Sequence, residues 1–344
     1  MFGKKKHTAI GIDIQKNVLR YCTIKGGQFV FGEKVTNGSI FKDGKIRNPE
    51  EFIHTLQQVA AEVHMRNPEF IISVMNGKLL IRQIPLGNMK SEKEIREFLY
   101  FELGDSISLP FENPIFDLLI LEQQSKKKLP KKKGKVTQEK SSRRAVKIQR
   151  NRFAVNGKVP VVITSEPILE EIGYLIQRSG GQLIGVDCSA LAYTRVLQKR
   201  INWGQNFVLV ELDSGTATIT IFEQLVPVYV QYEEYNQVNW RYIEHDKVAK
   251  TEFNHSVELE ELDKLGRTID NVIRYFETEI SPGKELVQIY VVGGHPLLSD
   301  EVVEIIQETN ELPVKDLQSP LRVANQKRLP ERFLLAAGLA MKEV

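Results

Sequence analysis

Two stretches of this 344-residue chain carry residue types able to hold an ion. In one, Asp213-Ser214-Gly215-Thr216 is followed by Thr218, so a carboxylate precedes hydroxyls, a glycine and closely spaced amides. Such a turn can aim N–H and O–H groups at an anion, as backbone nests do. Taken alone, Asp-Ser-Gly is also an ordinary turn. The other stretch is Ala9-Ile10-Gly11-Ile12-Asp13-Ile14, an apolar run with one acid. The six histidines show no metal-ligand spacing. Glu258, Glu260, Glu261 and Asp263 read as the acidic first turn of a helix, where the dipole favours them.

The elements around the two acids repeat. Phe207 to Leu212 is a β-favouring apolar run that ends at Asp213, Ala217 to Phe222 returns, and Leu225 to Gln231 makes a third strand. Near the N-terminus a strand ends at Asp13, Val18 to Ile24 returns, Lys25-Gly26-Gly27 turns, and Gln28 to Val35 follows. Asp13 and Asp213 therefore hold equivalent places in two copies of one meander. Duplication with one acid per copy predicts two similar lobes facing a cleft.

Between the copies, Asn48 caps a helix from Pro49 to Met65 whose Phe52, Ile53, Leu56, Val59 and Val63 form one apolar face. Glu69 to Met75 is a strand, Asn76-Gly77 a turn signal, and Leu79 to Ile84 the next strand, where a change of subdomain is expected. Ser91-Glu92-Lys93-Glu94 is a capping box opening a helix to about Gly104, with Ile95, Phe98, Leu99 and Leu103 inward. Ile115 to Gln123 reads as a strand, with a partner resuming at Phe153 and a further strand at Val159 to Thr164. Ser165 caps the helix Pro167 to Arg178, which Gly180-Gly181 ends. Leu183 to Val186 is a strand and Ser189 to Arg200 a helix. Residues 233–261 are polar and weakly patterned, and a helix runs from about Glu260 to Ile280. Leu286 to Val292 leads into Gly293-Gly294-His295-Pro296, a helix follows from Asp300, and Pro330 to Lys342 is an Ala-rich helix whose small residues permit close packing.

Length and composition are those of a soluble globular protein of about two domains. No apolar run reaches membrane-span length, and the start lacks a signal-peptide core. Cys22 and Cys188, each in an apolar context, are expected as buried thiols. The net charge of +3 conceals an asymmetry. Lys126 to Arg152 holds 13 Lys or Arg against Glu139 alone, and the remaining 34 basic and 43 acidic residues leave a net of −9. That insertion, 124–152, has almost nothing to bury and reads as a disordered loop between strands. It is open to three readings: a solvated loop, attraction to anionic lipid or an acidic partner, and nucleic-acid binding, which its lack of aromatics disfavours. Lys4-Lys5-Lys6 beside Phe2 could likewise touch anionic lipid.

The ordered set of a strand ending Gly-Ile-Asp-Ile, a strand ending Glu-Leu-Asp-Ser-Gly-Thr-Ala-Thr, and Val-Val-Gly-Gly resembles the actin-like ATPase superfamily. Within it the chain resembles the PilM family of type IV pilus biogenesis proteins, relatives of FtsA. The points of likeness include Asn76-Gly77, Ile81-Arg82-Gln83-Ile84, Leu109-Pro110, Asp117, Val186-Asp187, Ala190 and Ala336-Ala337-Gly338-Leu339-Ala340. The resemblance implies an α/β fold of two lobes with ribonuclease-H-like cores and an FtsA/PilM-type small subdomain. Lobe one would be 1–75 with 165–204 and the helix 330–344. The small subdomain would be 76–164 with the insertion, and lobe two 205–329 with a reduced subdomain at about 233–261.

The resemblance also implies ATP and Mg²⁺ in the cleft. Asp13, Lys16, Asn17, Asp213, Ser214, Gly215, Thr216, Thr218, Gly293 and Gly294 would line the nucleotide, and Asp13 and Asp213 would place the metal. It implies a cytoplasmic protein, peripheral on the inner face of the membrane. Its partner would be the N-terminal cytoplasmic segment of a single-pass PilN-like protein, held in a groove. Leu80, Arg82, Ile84 and Ile95, from the strand Leu79 to Pro85 and the helix after Ser91, are the groove candidates. The first phosphate motif departs from Asp-x-Gly-Ser: here it is Asp13-Ile14-Gln15-Lys16-Asn17, and Gln15 stands where a glycine would let backbone approach phosphate. In the adenosine motif His295-Pro296 follows Gly293-Gly294 where small residues are usual, and the helix that brings Glu and Lys to the nucleotide is not evident. A degenerate site in an adaptor is the leading reading. An active Mg-ATP switch and a small-molecule kinase remain open, although the latter needs phosphate positioning and a base that the motifs do not supply.

Overall fold

β-Branched and aromatic residues with two-residue turns build the first meander: β1 (Ile10–Gln15), β2 (Val18–Lys25) and β3 (Gln28–Val35). The computed structural model describes residues 8–42, 45–74, 76–103, 109–111, 113–119, 157–246 and 248–343. The expectations for Phe2, Lys4 to Lys6, the insertion 124–152 and a strand resuming at Phe153 lie outside them. After the short β4 (Phe41–Lys42) and β5 (Lys45–Ile46), the Asn48 side chain accepts from the Glu51 amide and starts α1 (Pro49–Glu62). β6 (Glu69–Ser73) follows.

Next come β7 (Leu79–Pro85), α2 (Glu92–Glu102), β8 (Pro114–Leu118) and β9 (Lys158–Ser165). α3 (Glu166–Arg178), β10 (Gln182–Asp187) and α4 (Ser189–Leu197) return the chain to the first sheet. The second meander is β11 (Phe207–Asp213), β12 (Thr216–Glu223) and β13 (Val226–Glu234). β14 (Arg241–His245) and β15 (Val248–Glu252) form a hairpin before α5 (His255–Tyr275). β16 (Ile289–Gly293), α6 (Val303–Thr309), β17 (Val314–Asp316) and α7 (Leu334–Ala340) complete the fold.

Two five-stranded sheets share one topology. The first has the order β10-β6-β1-β2-β3 and the second β17-β16-β11-β12-β13, each an antiparallel meander extended by two parallel strands. α1 and α3 cover the outer face of the first sheet, and α5 and α6 that of the second. α4 and α7 lie in the apolar core shared by both sheets, a cluster that includes Cys22 and Ile71 of the first sheet and Leu209 and Val292 of the second. The small side chains of α7 permit this. A Cβ on Gly11 of β1 would lie 2.1 Å from the Ala336 carbonyl oxygen. A third sheet, β7-β9-β8, packs Ile84, Val159, Val161 and Ile163 against Ile95 and Leu99 of α2.

The turn signal at Asn76-Gly77 is one turn of 3-10 helix, Asn76–Lys78, linking β6 and β7, which belong to different sheets. Local readings need four corrections. Phe98 of α2 does not face inward with Ile95 and Leu99 but is 38% exposed. Ser165 makes no side-chain capping bond to α3. The stretch 233–261 is not patternless: Tyr242 alternates inward in a regular hairpin. α5 starts five residues before Glu260, because the Asn254 side chain accepts from the Val257 amide, and of the four acids only Glu258 lies in its first turn.

Candidate functional site

Register in the first meander builds a charged row. The tip is Lys16-Asn17, so Gln15 pairs with Val18 and Asp13 stands directly opposite Arg20. Arg20 in turn stands opposite Glu33 of β3. Cross-strand partners share a face, so acid, base and acid line up across three strands. This corrects the expectation that Asp13 ends its strand: β1 runs two residues further, whereas Asp213 sits immediately before its turn, opposite Thr216. The first hairpin is longer at its tip than the second, and it reaches the other lobe.

Arg20 is fully buried and spans the cleft. Its Nη1 lies 2.5 Å from Asp213 Oδ2 and 3.7 Å from Asp13 Oδ2, and its Nη2 donates to Asp213 Oδ1 at 3.4 Å and to the Tyr242 hydroxyl at 2.8 Å. Tyr242 donates to Asp213 Oδ1 at 2.5 Å, and Ser214 does so at 2.8 Å. Glu33 completes the cage 3.8 Å from Arg20 Nε and also accepts from Arg332. Forked charge-assisted bonds of this kind are strong and directional.

The two acids respond oppositely. Burial, reinforced by the Asp213 charge, raises Asp13 to about 7 even though Arg20 and the Gln15 amide pull it down. Burial would also raise Asp213, but Arg20, Tyr242 and Ser214 together hold it below the ordinary carboxyl value. Arg20 loses hydration on burial, yet Asp213 and Asp13 keep it charged.

The tip clasps the opposite lobe. Lys16 donates to the carbonyls of Gln237 and Trp240, and burial lowers its pKa. The Asn17 side chain pairs with the Tyr242 backbone in both directions, at 2.8 and 2.9 Å. The Ala249 amide donates to Glu33 at 3.1 Å. The clasped segment is itself pinned. The buried Glu258 accepts from Asn236, from Trp240 at 2.6 Å, from Tyr235 at 2.8 Å and from His295 at 2.9 Å. These donors outweigh burial and lower the Glu258 pKa.

The remaining sequence candidates are placed as follows. Ser214 and Gly215 both take positive φ, 39° and 72°, which makes the tight turn of the second hairpin. That turn is covered: a Cβ on Gly215 would lie 2.5 Å from the Asn236 carbonyl carbon. Thr216 donates to the Asp213 carbonyl and, with Thr218, lines a cavity of about 950 Å³ between the lobes. Asp13, Lys16 and Asp213 also border it, with Arg47, Lys78, Tyr193 and Tyr232. Gly293 and Gly294 are not among its described lining residues. Gly293 packs on the Leu212 backbone, and a Cβ on Gly294 would lie 2.3 Å from Asp213 Oδ2 and 3.0 Å from Arg20 Nη1.

The partner candidates divide. Ile84 and Ile95 are buried in the core of the third sheet, 7% and 0% exposed. Leu80 is partly buried in the same cluster, and Arg82 is half-buried and donates to the Ile81 carbonyl. Sequence reading passed over Arg20, Tyr242 and Trp240, and took Glu258 only as an acid of a helix's first turn. For Arg20 a signal existed. A lone cation in an apolar strand, three residues past the tip as Asp13 is three before it, must face that acid.

The chain is similar along its whole length to solved structures. A PilM–PilN type IV pilus biogenesis complex matches at 15% identity and a TM-score of 0.68, covering 98% of this chain and 98% of that chain. The ethanolamine utilization protein EutJ from Carboxydothermus hydrogenoformans matches at 12% identity and a TM-score of 0.51, covering 97% and 89%. The fold is actin-like. MreB5 of Spiroplasma citri bound to ADP also matches, at 11% identity, a TM-score of 0.50 and coverage of 96% and 94%. No protein-family model and no curated protein matches the sequence.

An actin-like fold raises the question of whether Mg²⁺ and a nucleotide fit. Among the described residues, no group of three or more His, Cys, Asp or Glu is placed to hold a metal ion. Between Asp13 and Asp213 stands the Arg20 guanidinium, so a divalent ion does not fit there. Of the glycine pair expected at the adenosine, Gly294 abuts Asp213 and Arg20 and Gly293 abuts Leu212. Among the described residues, no helix is long and apolar enough to cross a membrane.

Proposed function

We propose that this chain is a PilM-like adaptor that captures the N-terminal cytoplasmic segment of a single-pass PilN-like membrane protein in a type IV pilus or related assembly machine. The observation that carries the reading is a likeness to the PilM–PilN complex that extends over 98% of both chains. In this reading the cleft is a degenerate nucleotide site, and the protein works at the cytoplasmic face of the membrane. The basic insertion and Lys4 to Lys6 add attraction to anionic lipid. The working division is 1–75 with 165–204 and 330–344 as lobe one, 76–164 as the small subdomain and 205–329 as lobe two.

The outer side of the third sheet suits a peptide. Among the described residues β8 is an edge strand there, and α2 exposes Phe98, Tyr100 and Phe101 at 38%, 76% and 78%. Tyr100 meets Phe116 of β8 edge-on at 5.2 Å. A strand edge beside exposed aromatics offers main-chain bonds and apolar pockets together. Fluorescence anisotropy of a labelled peptide, copied from the PilN-like protein of the same organism, tests this. Saturable binding that is lost in Phe101→Asp supports the reading, and no binding to folded protein removes it.

A nucleotide switch is the second reading, favoured by the cavity beside Thr216 and Thr218. Thermal unfolding with Mg-ATP separates the two, since ligand at about 100 times its Kd adds about 2.7 kcal/mol to the folded state.

A further inference from the structure

We infer that Arg20 is the resident cation of the cleft: it takes the place of a divalent metal between Asp13 and Asp213 and, with the Lys16-Asn17 tip, latches the lobes in one closed arrangement that needs no nucleotide. This inference is independent of any partner peptide.

The first support is position. One nitrogen, Nη1, faces both carboxylates, at 2.5 Å from Asp213 and 3.7 Å from Asp13. A small divalent ion needs oxygen ligands at about 2.0–2.1 Å in an octahedron. The volume it would claim is held by a planar group that brings its own charge. Asp13, Asp213 and Glu33 surround that charge, and the whole cluster is buried.

The second support is connectivity. Arg20, Lys16, Asn17 and Glu33 belong to the first meander, and every partner they reach across the cleft belongs to the second lobe: Asp213, Gln237, Trp240, Tyr242 and Ala249. The acceptors are not loose. Glu258 fixes Trp240 and Asn236, and Tyr242 is tied to Asp213. A nucleotide that closed two lobes would have to supply such bridges itself. Here the chain supplies them, and one covalently held guanidinium gives the charge that an ion would otherwise give.

Manganese titration followed by electron paramagnetic resonance tests the first half. Wild-type protein should leave the spectrum of free Mn²⁺ unchanged, and Arg20→Ala should bind the ion through the two carboxylates that Arg20 no longer holds, losing it again when Asp213→Asn is added. Mn²⁺ bound by wild type and lost in Asp213→Asn overturns the inference, as does folded Arg20→Ala that ignores Mn²⁺.

Because Arg20→Ala leaves buried acids unpaired and can fail to fold, a second measurement uses the intact latch. Spin labels at Gln57→Cys on α1 and Arg267→Cys on α5, both exposed positions, report the lobe separation. One narrow distance, unchanged by millimolar Mg-ATP and broadened by Lys16→Ala with Asn17→Ala, supports the latch. A distance that shifts with Mg-ATP, or one that the tip variant leaves narrow, overturns it.

Discussion

Arg20 and Asp213 are 193 positions apart, yet the guanidinium of one grips the carboxylate of the other through both terminal nitrogens, at 2.5 and 3.4 Å. The contact joins the two copies of a duplicated meander. It turns a pair of acids that could hold a metal into a closed ion pair, and the energetics of the cleft follow from it.

Arg20→Met is expected to destabilise the fold by about 3–5 kcal/mol, since removing one member of a buried pair strands the other charge. Denaturant unfolding measures it. Arg20→Lys should recover only part of the loss, because an ammonium cannot make the fork.

Asp13 supplies a pH signature. Its folded pKa of about 7 lies above its ordinary 3.8, so the folded state holds the proton more tightly than the unfolded one. Its contribution is therefore greatest in acid, falls as pH rises through that window, and is flat above it. Asp13→Asn removes the slope, so the variant should gain on wild type by up to about 2–3 kcal/mol between about pH 5 and about pH 8. Parallel pH profiles would contradict this. Asp213, held low, acts with opposite sign: its contribution is present above the ordinary carboxyl value and is lost as pH falls through the folded one.

Tyr242→Phe removes one hydroxyl that serves Arg20, Asp213 and Ser214. A loss of about 1–3 kcal/mol is expected from the stranded groups. Calorimetric unfolding should show it without a change in far-ultraviolet dichroism.

Gly11→Ala should cost about 1–3 kcal/mol or more by overpacking, since its Cβ would meet the Ala336 carbonyl oxygen at 2.1 Å and the Ala340 amide nitrogen at 2.6 Å. The readout is the unfolding midpoint. A neutral result would mean that α7 can slide away from β1.

On α2, two substitutions should separate folding from binding. Ile95→Ala opens the core of the third sheet and should cost about 2–5 kcal/mol. Tyr100→Ala, at an exposed position, should leave the unfolding midpoint close to wild type while weakening the partner peptide.

What the sequence determined by itself was local and periodic. The two meanders, the apolar faces of α1 and α5, the caps at Asn48 and Ser91 and the small residues of α7 follow from two-residue and 3.6-residue periods and from turn chemistry, which act over a few positions. The facing of Asp13 and Arg20 also rests on a local feature, the two-residue tip Lys16-Asn17, although ending the strand at Asp13 concealed it. Tertiary structure alone decided which lobe-two acid Arg20 reaches, and that the segment after β13 supplies carbonyls to Lys16 and a phenol to the cluster. It also decided that Gly294 backs onto Asp213. Those outcomes depend on how two sheets close over α4 and α7. Burial in that closure forces each charge to find a partner across the cleft, and no local period encodes which partner it finds.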